Sequence, residues 1–458
     1  MAARSESPAS KQILEEVGLA NLPQEWGLVR IEELLSDDRG ISVGVMYPGD
    51  HDLFGVPLIK SGDLGGNLIS SQPEFRITRD KHNEYKRTAL EGGELLLSLV
   101  GDVGRCAIVP TRMAGWNVAR AIAVLRLANP ADARFLRTCL LSAPIQHLMH
   151  AWSTTTVQAT LNLKEIRQIP LPWPHADERN KIAGIIGALD DKIEINRKMN
   201  ETLDAMARAL FKSWFVDFAP VRAKVESSDT GLPSEVSALF PDSLEESELG
   251  LIPRGWTTST IKSLAHNIQY GLTTSAQALD VGPKFLRITD IQAGHVDWSR
   301  VPYCRASDAE YERYRLKAHD IVVARTGAST GENVYLPVVP NAVFASYLVR
   351  FQFELSHVAR FVGAFMRTSA YFEYVQNSIG GSAQPNASAQ VLAGVELVLP
   401  PPDLLRKYAE IVAQMDQRLW HNSAQSITLV NLRDTLLPKL ISGEIRLPVH
   451  EPAAGEIG

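Results

Sequence analysis

Cysteine, long apolar runs and an excess of positive charge are all scarce in this sequence. Its 458 residues include only three cysteines, Cys106, Cys139 and Cys304, and none belongs to a Cys-x-x-Cys pair. The spacing therefore predicts neither a disulfide framework nor a zinc site. No apolar stretch reaches the eighteen or so residues of a membrane span, and residues 1–10 lack a signal-peptide core, so we expect a cytoplasmic protein. A net charge of −6 argues against indiscriminate nucleic-acid binding but is compatible with a local basic face.

Catalytic signatures are missing as well. There is no Gly-x-x-x-x-Gly-Lys-Ser/Thr phosphate loop. Residues 399–403, LPPPD, are nearest to the Asn/Asp-Pro-Pro-aromatic signature of amino-methyltransferases, but they lack both the leading acid or amide and the aromatic residue. His147 and His150 have no third ligand nearby in the sequence, which favours a packing or surface role over a metal site. We predict no catalytic and no metal site in this chain.

Two long amphipathic stretches are present, and they repeat one another. Residues 177–218 carry apolar side chains at seven-residue spacing in two rows, and residues 403–441 carry the same pattern. Asn196 and Asn422, 226 positions apart, occupy the same point of the apolar seam. A buried Asn lowers stability but can fix the register of paired helices. The residues predicted to pair the helices are Ile182, Ile185, Leu189, Asn196, Met199, Leu203, Met206, Leu210, Ile411, Met415, Asn422, Leu429, Leu432 and Leu436.

The segments that precede the two helices repeat too. One begins at Leu22-Pro23-Gln24-Glu25-Trp26 and the other at Ile252-Pro253-Arg254-Gly255-Trp256. Each continues in short β-rich segments punctuated by glycine and ends in a Pro-rich exit. Asp177 and Asp403 are predicted to cap the helices that follow, and Pro438 is predicted to kink or end the second helix near Leu437.

These repeats predict an α+β fold. Two similar globular domains are separated by a long antiparallel two-helix coiled coil, with a pseudo-two-fold internal repeat. The predicted boundaries are a polar leader at 1–20, domain 1 at 21–174, a central helix at 175–218, a solvated linker at 219–250, domain 2 at 251–402, a C-terminal helix at 403–445 and a tail at 446–458.

Three strings carry a resemblance to a known family. ARTGASTG at 324–331, LFKSWFVDF at 210–218 and LLPKLISGEIR at 436–446 resemble the specificity subunit of type I restriction-modification systems, and the likeness covers about residues 22–447. The resemblance implies two target-recognition domains, each reading one half of a bipartite double-stranded DNA site. It implies a coiled coil that docks two methyltransferase (modification) subunits, in systems that also employ two restriction or translocase subunits. The chain itself is then not catalytic, and S-adenosylmethionine, ATP and Mg are expected in the partner subunits.

DNA recognition needs cations for phosphates and polar side chains for base edges. For any one such residue, a satisfied turn or a surface charge is the better explanation. For the set as a whole, DNA binding is favoured, because the same kind of loop occurs at the same place twice. The predicted DNA-binding residues are Lys60, Ser61, Arg76, Arg105, Arg120, Thr155, Thr156, Gln158, Thr160, Asn162, Arg287, Thr289, Arg325, Ser329, Arg350, Ser382, Gln384, Asn386 and Ser388.

Two alternatives remain open at this point. One is a scaffold that binds no DNA, with two protein-binding modules spaced by the coiled coil; another is an autonomous methyltransferase. A further set of apolar helix residues either widens the seam or docks partner subunits. This set is Ile186, Ile193, Ala207, Trp214, Val412, Leu419 and Leu440.

Overall fold

The computed structural model describes residues 21–37, 40–65, 68–69, 73–155, 159–291, 294–379 and 386–447. The predicted leader, residues 448–458 of the tail, the side chain of Thr155, and four predicted DNA contacts, Thr156, Gln158, Ser382 and Gln384, lie outside the described residues. The chain divides into two compact units: unit 1 comprises residues 1–196 and 424–458, and unit 2 comprises residues 197–423. Both contain helices and mainly antiparallel sheets, which confirms a mixed α/β fold.

Unit 1 is built on a four-stranded antiparallel sheet and a smaller mixed sheet. Its strands are β1 Gly27–Arg30, β2 Ile41–Val43, β3 Val56–Ile59, β4 Leu64–Gly65, β5 Leu68–Ile69, β6 Arg76–Ile77, β7 Leu95–Ser98, β8 Cys106–Ile108, β9 Asn117–Val118, β10 Ile122–Leu125, β11 Thr154–Thr155, β12 Ala159–Thr160 and β13 Pro170–Trp173. Its helices are α1 Ile31–Leu34, α2 Arg79–Glu84, α3 Ala133–Leu140, α4 Ala143–Trp152, α5 Leu163–Gln168 and the first part of α6 Ala176–Phe215. The larger sheet has the order β2-β10-β7-β8; the smaller has the order β6-β3-β9, in which β3 and β9 are parallel. Strand β1 pairs with β13.

Strand β7 shows why the sheet of unit 1 is central. All four of its residues, LLLS, are buried, because both faces of the sheet are covered. Leu95 and Leu97 belong to one apolar cluster with Trp26 and Ile182, whereas Leu96 belongs to a second cluster with Val118. The period of two along a strand therefore divides one apolar run between two cores.

Unit 2 is built on two four-stranded sheets. Its strands are β14 Leu244–Ser247, β15 Gly250–Pro253, β16 Thr257–Thr260, β17 Asn267–Tyr270, β18 Ala276–Gln277, β19 Lys284–Leu286, β20 Tyr303–Cys304, β21 Asp320–Ala324, β22 Asn333–Leu336, β23 Ala342–Phe344, β24 Leu348–Gln352 and β25 Glu396–Leu399. Its helices are α7 Ala219–Val225, α8 Ser234–Ser237, α9 Ile261–Leu264, α10 Asp308–Tyr314, α11 Ser356–Phe365, α12 Ser369–Ile379, α13 Ala389–Ala393 and the first part of α14 Pro402–Ile441. The main sheet has the order β17-β24-β21-β22, β19 lies parallel to β23, and β16 pairs with β25.

Within each unit the long helices lie side by side and antiparallel. In unit 1, Asn196 Nδ2 donates to Ser426 Oγ (3.3 Å) and Gln425 Oε1 (3.0 Å), and Arg433 Nη1 lies 3.1 Å from Asp190 Oδ1. In unit 2, Asn422 Nδ2 donates to Asn200 Oδ1 (2.9 Å), and the Phe211 and Tyr408 rings are 5.9 Å apart. Asn196 and Asn422 are both buried and hydrogen-bonded across the helix pair of their own unit.

Part of the predicted helix seam is wrong. Ile185, Met206 and Leu432 are 38%, 51% and 45% exposed, whereas Ile186 and Ala207 are 2% and 7% exposed. The buried row is shifted by one residue because an α-helix with 3.6 residues per turn drifts away from a strict seven-residue repeat. Ile182 is fully buried, and the other predicted pairing residues are partly buried: Leu189, Met199, Leu203, Leu210, Ile411, Met415, Leu429 and Leu436.

The ends of the helices also differ from expectation. Helices α6 and α14 begin at Ala176 and Pro402, so Asp177 and Asp403 lie in their first turns rather than at the caps. There the carboxylates still favour the positive end of the helix dipole. Helix α14 continues through Pro438 to Ile441, so it does not end near Leu437, and the alternative of a kink at Pro438 stays a prediction.

The segment 219–250 is not a solvated linker. It forms α7, α8 and the β14–β15 hairpin, and Val221, Val236 and Phe240 are buried in the main apolar cluster of unit 2. The Ser, Pro and acidic residues of this segment indicated a linker. The burial of its three apolar residues could not be predicted, because they contact residues distant in sequence. Among the helices of the described residues, none has the length and hydropathy needed to cross a membrane.

Candidate nucleic-acid interface

The glycine loop after β7 joins three predicted DNA-binding segments of unit 1. Gly101 N–H donates to Ala159 O (3.0 Å) in β12, and Arg105 Nη1 donates to Leu64 O (3.1 Å) at the start of β4, directly after the turn that follows β3. Gly101 and Gly104 have φ values of 78° and 94°, a region that glycine enters without strain. The loop therefore needs its glycines to connect β12 with the start of β4.

Two exposed cations of unit 1 lie at neighbouring strand ends. Lys60 follows β3, and its ammonium lies 4.1 Å from the centre of the Phe75 ring. Arg120 follows β9, which runs parallel to β3, and Ala119 N–H donates to Ile59 O (2.8 Å). The fold thus brings Lys60 and Arg120 to one edge of the unit.

Arg76 does not join this edge. It pairs with Pro57 near the start of β3, and its Nη1 donates to Gly55 O (3.1 Å). Among the polar candidates, Ser61 is partly buried at the start of a single 3-10 turn, and Thr160 is bridged to Val100. Asn162 is exposed at the N-terminus of α5.

The first predicted cation of unit 2, Arg287, is held by its own turn. Its Nε and Nη2 donate to the two carboxylate oxygens of Asp290, each at 2.9 Å, and its backbone N–H donates to Asp290 Oδ2. Hydrogen bonding to Asp290 raises the pKa of Arg287. Lys60 N–H donates to Asp63 Oδ2 (2.7 Å) in the same way, so the turn recurs in both units. Thr289 is exposed between these residues.

Arg325 contacts several other residues of unit 2 through both its side chain and its backbone. Its Nη2 donates to Asn386 Oδ1 (3.2 Å), and its guanidinium carbon is 4.8 Å from the centre of the Tyr270 ring. Its backbone N–H donates to Tyr347 O (3.0 Å), and Ala387 N–H donates to Arg325 O (2.8 Å). Two segments far apart in sequence therefore meet at this arginine.

The remaining hydroxyl candidates of unit 2 are close by in the chain. Ser388 is exposed and its Oγ accepts from Val391 N–H (3.2 Å), which caps α13. Ser329 is partly buried in the glycine loop after β21.

Arg350 is not available to DNA, and its prediction as a DNA contact is wrong. It is 4% exposed in the middle of β24, 3.7 Å from Asp320 on the adjacent strand, and its Nη1 donates to Arg315 O (2.6 Å). Burial lowers the pKa of Arg350 and raises the pKa of Asp320. The sequence shows the arginine but not its partner, because the pairing of β21 with β24 is distant in sequence.

Sequence reasoning missed exposed aromatic residues beside the candidates. Tyr270 and Tyr347, 42% and 61% exposed, contact Arg325, and Tyr47 in unit 1 is 72% exposed. Aromatic faces stack on bases and on guanidinium groups. A search for aromatic residues just after strand ends, in addition to cations and amides, would have found them.

Comparison with known proteins favours one of the alternatives. Residues 48–205 match the model of the type I restriction modification DNA specificity domain. Over these residues the chain is similar to a type I specificity domain. The chain is 22% identical to the type I restriction enzyme MjaIX specificity subunit of Methanocaldococcus jannaschii, over 94% of this chain and 96% of the relative. It is 23% identical to the HindI specificity subunit of Haemophilus influenzae, over 85% and 94% of the two chains.

A solved structure shares the fold of this chain. The crystal structure of a type I restriction-modification system S subunit from M. genitalium covers 92% of this chain and 96% of its own, at 15% identity and a TM-score of 0.54. The resemblance to type I specificity subunits that the sequence indicated is therefore confirmed. The two relatives are named as specificity subunits of type I restriction enzymes.

Proposed function

We propose that the chain is the DNA specificity subunit of a type I restriction-modification complex. In this proposal, residues 21–174 and 251–402 are target-recognition domains that each read one half of a bipartite site. The observation that carries the proposal is the repeated architecture, since the main sheets of both units have the same strand order and each smaller sheet contains one parallel strand pair. Two recognition domains of similar architecture in one chain suit a DNA site that is itself split into two parts.

The paired helices act as the spacer between the readers. The Asn196–Ser426 bond in unit 1 and the Asn422–Asn200 bond in unit 2 have the same register once the 226-residue offset is applied. A pseudo-two-fold repeat, built on an antiparallel coiled coil of α6 and α14, accounts for that agreement. Buried amides that hydrogen-bond across the seam fix one register, and a fixed register sets the spacing of the half-sites.

DNA contacts divide into two classes by how firmly each side chain is held. Lys60 and Arg120 are exposed and suit phosphates, which need charge more than geometry. Arg325 and Asn386 are mutually hydrogen-bonded and suit base edges. The remaining candidates, Ser61, Arg105, Thr160, Asn162, Arg287, Thr289, Ser329 and Ser388, supply further positioning contacts.

Exposed apolar positions on the long helices provide the docking surface for two modification subunits. Several residues first considered for docking are buried inside the units: Ile186, Ala207, Trp214, Val412 and Leu440. Exposed apolar residues are present instead, namely Ile185, Ile195, Ile427 and Leu432 in unit 1, and Met206 and Trp420 in unit 2. Exposed apolar groups that form a contiguous patch mark protein-interaction sites, and these residues are the candidates for such a patch.

The chain contributes recognition and its partners contribute chemistry. The modification subunits bind S-adenosylmethionine and methylate adenine, and restriction or translocase subunits, where they join, use ATP and Mg. The purified chain with S-adenosylmethionine should therefore transfer no methyl groups to DNA.

The test is to co-express the chain with its cognate modification subunit and map methylated adenines by single-molecule sequencing. A split motif with a constant spacer is the expected result. A continuous motif, or DNA affinity that does not depend on sequence at any salt concentration, would reject the proposal in favour of a scaffold role. Exchanging residues 22–172 for those of a relative should change one half of the motif only.

A further inference from the structure

Arg325 is held in one orientation before any ligand arrives. The Tyr270 ring packs against its guanidinium and Asn386 Oδ1 accepts from Nη2. Tyr270 is itself fixed, because its hydroxyl accepts from Ala389 N–H (3.0 Å). An arginine that is already oriented loses less conformational entropy on binding than a free one.

Arg325 can offer a ligand only the N–H donors at the outer end of its guanidinium group. Its Nε is buried and finds no hydrogen-bond partner within the described residues, so a ligand is reached through Nη1 and the second N–H of Nη2. These nitrogens present parallel N–H donors and no acceptor. Guanine offers two acceptors, O6 and N7, in the major groove, whereas adenine pairs one acceptor with a donor and cytosine shows a donor.

The same backbone position in unit 1 carries a different side chain. Leu99 N–H donates to Ala121 O (2.7 Å) and Leu161 N–H donates to Leu99 O (2.9 Å), the pattern that Arg325 makes with Tyr347 and Ala387. Leu99 is 4% exposed. One scaffold position thus holds a fixed cation in one unit and an apolar residue in the other, as expected of a position that sets what each unit reads.

The neighbours of Arg325 differ between the units as well. Thr160 is bridged to Val100 in the way that Asn386 is bridged to Thr326, and Val43 occupies the sheet position of Tyr270. The arginine, its ring and its amide are therefore present together in unit 2 and replaced together in unit 1.

We infer that Arg325 is a specificity-determining residue that reads a guanine in the half-site bound by unit 2, with Asn386 and Tyr270 as positioning residues. The inference rests on the proposed function, because it requires that unit 2 binds a DNA half-site. It adds the identity of one base and the side chain that selects it.

The experiment uses the full chain in complex with its modification subunit, with methylation mapped genome-wide and binding measured on duplexes that carry single base changes. Arg325→Gln should lose about tenfold or more of the discrimination at one guanine position of one half-site. The other half-site, read by unit 1, should be unchanged and serves as an internal control. Arg254→Gln is the matched control, since Arg254 is an exposed arginine of unit 2 before β16.

Asn386→Ala should weaken discrimination at the same base pair by a smaller factor, which a merely structural effect on the unit would not do. If Arg325→Gln does not fold, as judged by circular dichroism, Arg325→Lys and Asn386→Ala replace it with the same expected position of loss. Uniform weakening across all sequences, with a salt slope reduced by about one, would show a phosphate contact and overturn the inference. Unchanged discrimination would overturn it too, whereas a wild-type complex without any split motif would overturn the proposed function itself.

Discussion

In each unit a tryptophan directly before β1 or β16 contacts a residue of a long helix, and we call this region the corner. The two corners are held together by different interactions. In unit 1, Trp26 Nε1 donates to Glu178 Oε2 (3.0 Å), and Arg446 binds Glu178 (2.9 Å) and also pairs with Glu25. In unit 2, Trp256 packs against Phe215 and Phe218, with ring centres 6.0 and 5.6 Å away. Its Nε1 is buried with no hydrogen-bond partner in the part of the chain that is described.

Comparing the two tryptophan environments shows which features the repeat preserves. The residue that follows Glu178 by 226 positions is Leu404, so the carboxylate that organises one corner has an apolar counterpart in the other. The backbone plan and the tryptophan are kept while their partners change. The hydrogen-bonded ions of unit 1 depend on the orientation and charge of each side chain. The aromatic cluster of unit 2 depends on how well the rings fit together.

One buried contact is common to both units. Arg137 on α3 lies 3.3 Å from Asp190 on α6, and Arg360 on α11 lies 2.8 Å from Asp416 on α14. The two aspartates are 226 positions apart. In each unit, this ion pair fixes a helix of the globular part to a long helix.

The largest effect is expected from breaking the shared ion pair. Asp190→Ala should lower the free energy of unfolding by about 3–5 kcal/mol, because it leaves Arg137 and Arg433 without their common carboxylate. Asp416→Ala removes the partner of one arginine and should cost less. Urea denaturation measures both, with the exposed Asp434→Ala as control. Equal, small losses for Asp190→Ala and Asp434→Ala would show that the pair does not hold unit 1 together.

A smaller effect is expected at the polar corner of unit 1. Glu178→Gln keeps the shape of the side chain but removes its charge, and should cost about 1.5–3 kcal/mol because hydrogen bonds to a charged, buried group are lost. Glu25→Gln removes an exposed partner of the same arginine and should cost less. Added salt should narrow the difference between wild type and Glu25→Gln more than it affects Glu178→Gln. A larger loss of stability for Glu25→Gln than for Glu178→Gln would show that the exposed ion pair contributes more than the buried one.

Replacing the amides of the helix pair should act in the opposite direction. Asn196→Leu and Asn422→Leu should each raise stability by ~1 kcal/mol, or about 2–4 °C in Tm, because a buried polar residue gives way to an apolar one. The same changes should loosen the helix register, measured as a spread in spacer length among methylated sites. A single, unchanged spacer in the double variant would count against a role for these residues in setting register.

The repeat, the long helices and the buried strands were predictable because their patterns are local. LLLS in β7 and DIVVA in β21 are apolar runs followed by glycine loops, and both are fully buried central strands. The placement of Arg350 and the packing of Val221 and Phe240 were not predictable, since each depends on a partner distant in sequence. In the candidate interface, the loops were found from their glycines and polar residues. The contact of Arg325 with Tyr270 joins strands that only the fold brings together.

The smallest expected effect is on the pH dependence of stability. It should differ between two acidic residues at equivalent positions of the two units. Burial raises the pKa of Asp320 from its ordinary 3.8, so the folded state holds that proton more firmly than the unfolded chain. Stability contributed by this group therefore falls as pH rises from 3.8 through the raised value, and is constant above it. In unit 1 the same position is Glu94, whose oxygens accept from Glu91 N–H and Gly92 N–H, each at 2.7 Å, and Val124 replaces Arg350.

Asp320→Asn should remove this slope, which is at most about 1.4 kcal/mol per pH unit for one proton. It should also lower stability by a constant amount, because Gln352 and Lys317 N–H donate to different oxygens of Asp320 and an amide has only one acceptor oxygen. Glu94→Gln is the matched change in unit 1 and should leave the acid slope attributed to Asp320 in place. Urea midpoints between pH 3.5 and about 7 measure the difference. Since burial also raises the pKa of Asp416, some of the wild-type slope should persist in Asp320→Asn. Parallel pH profiles for wild type and Asp320→Asn would mean that Arg350 keeps Asp320 ionised throughout, and that the buried pair of unit 2 is as insensitive to acid as the hydrogen-bonded carboxylate of unit 1.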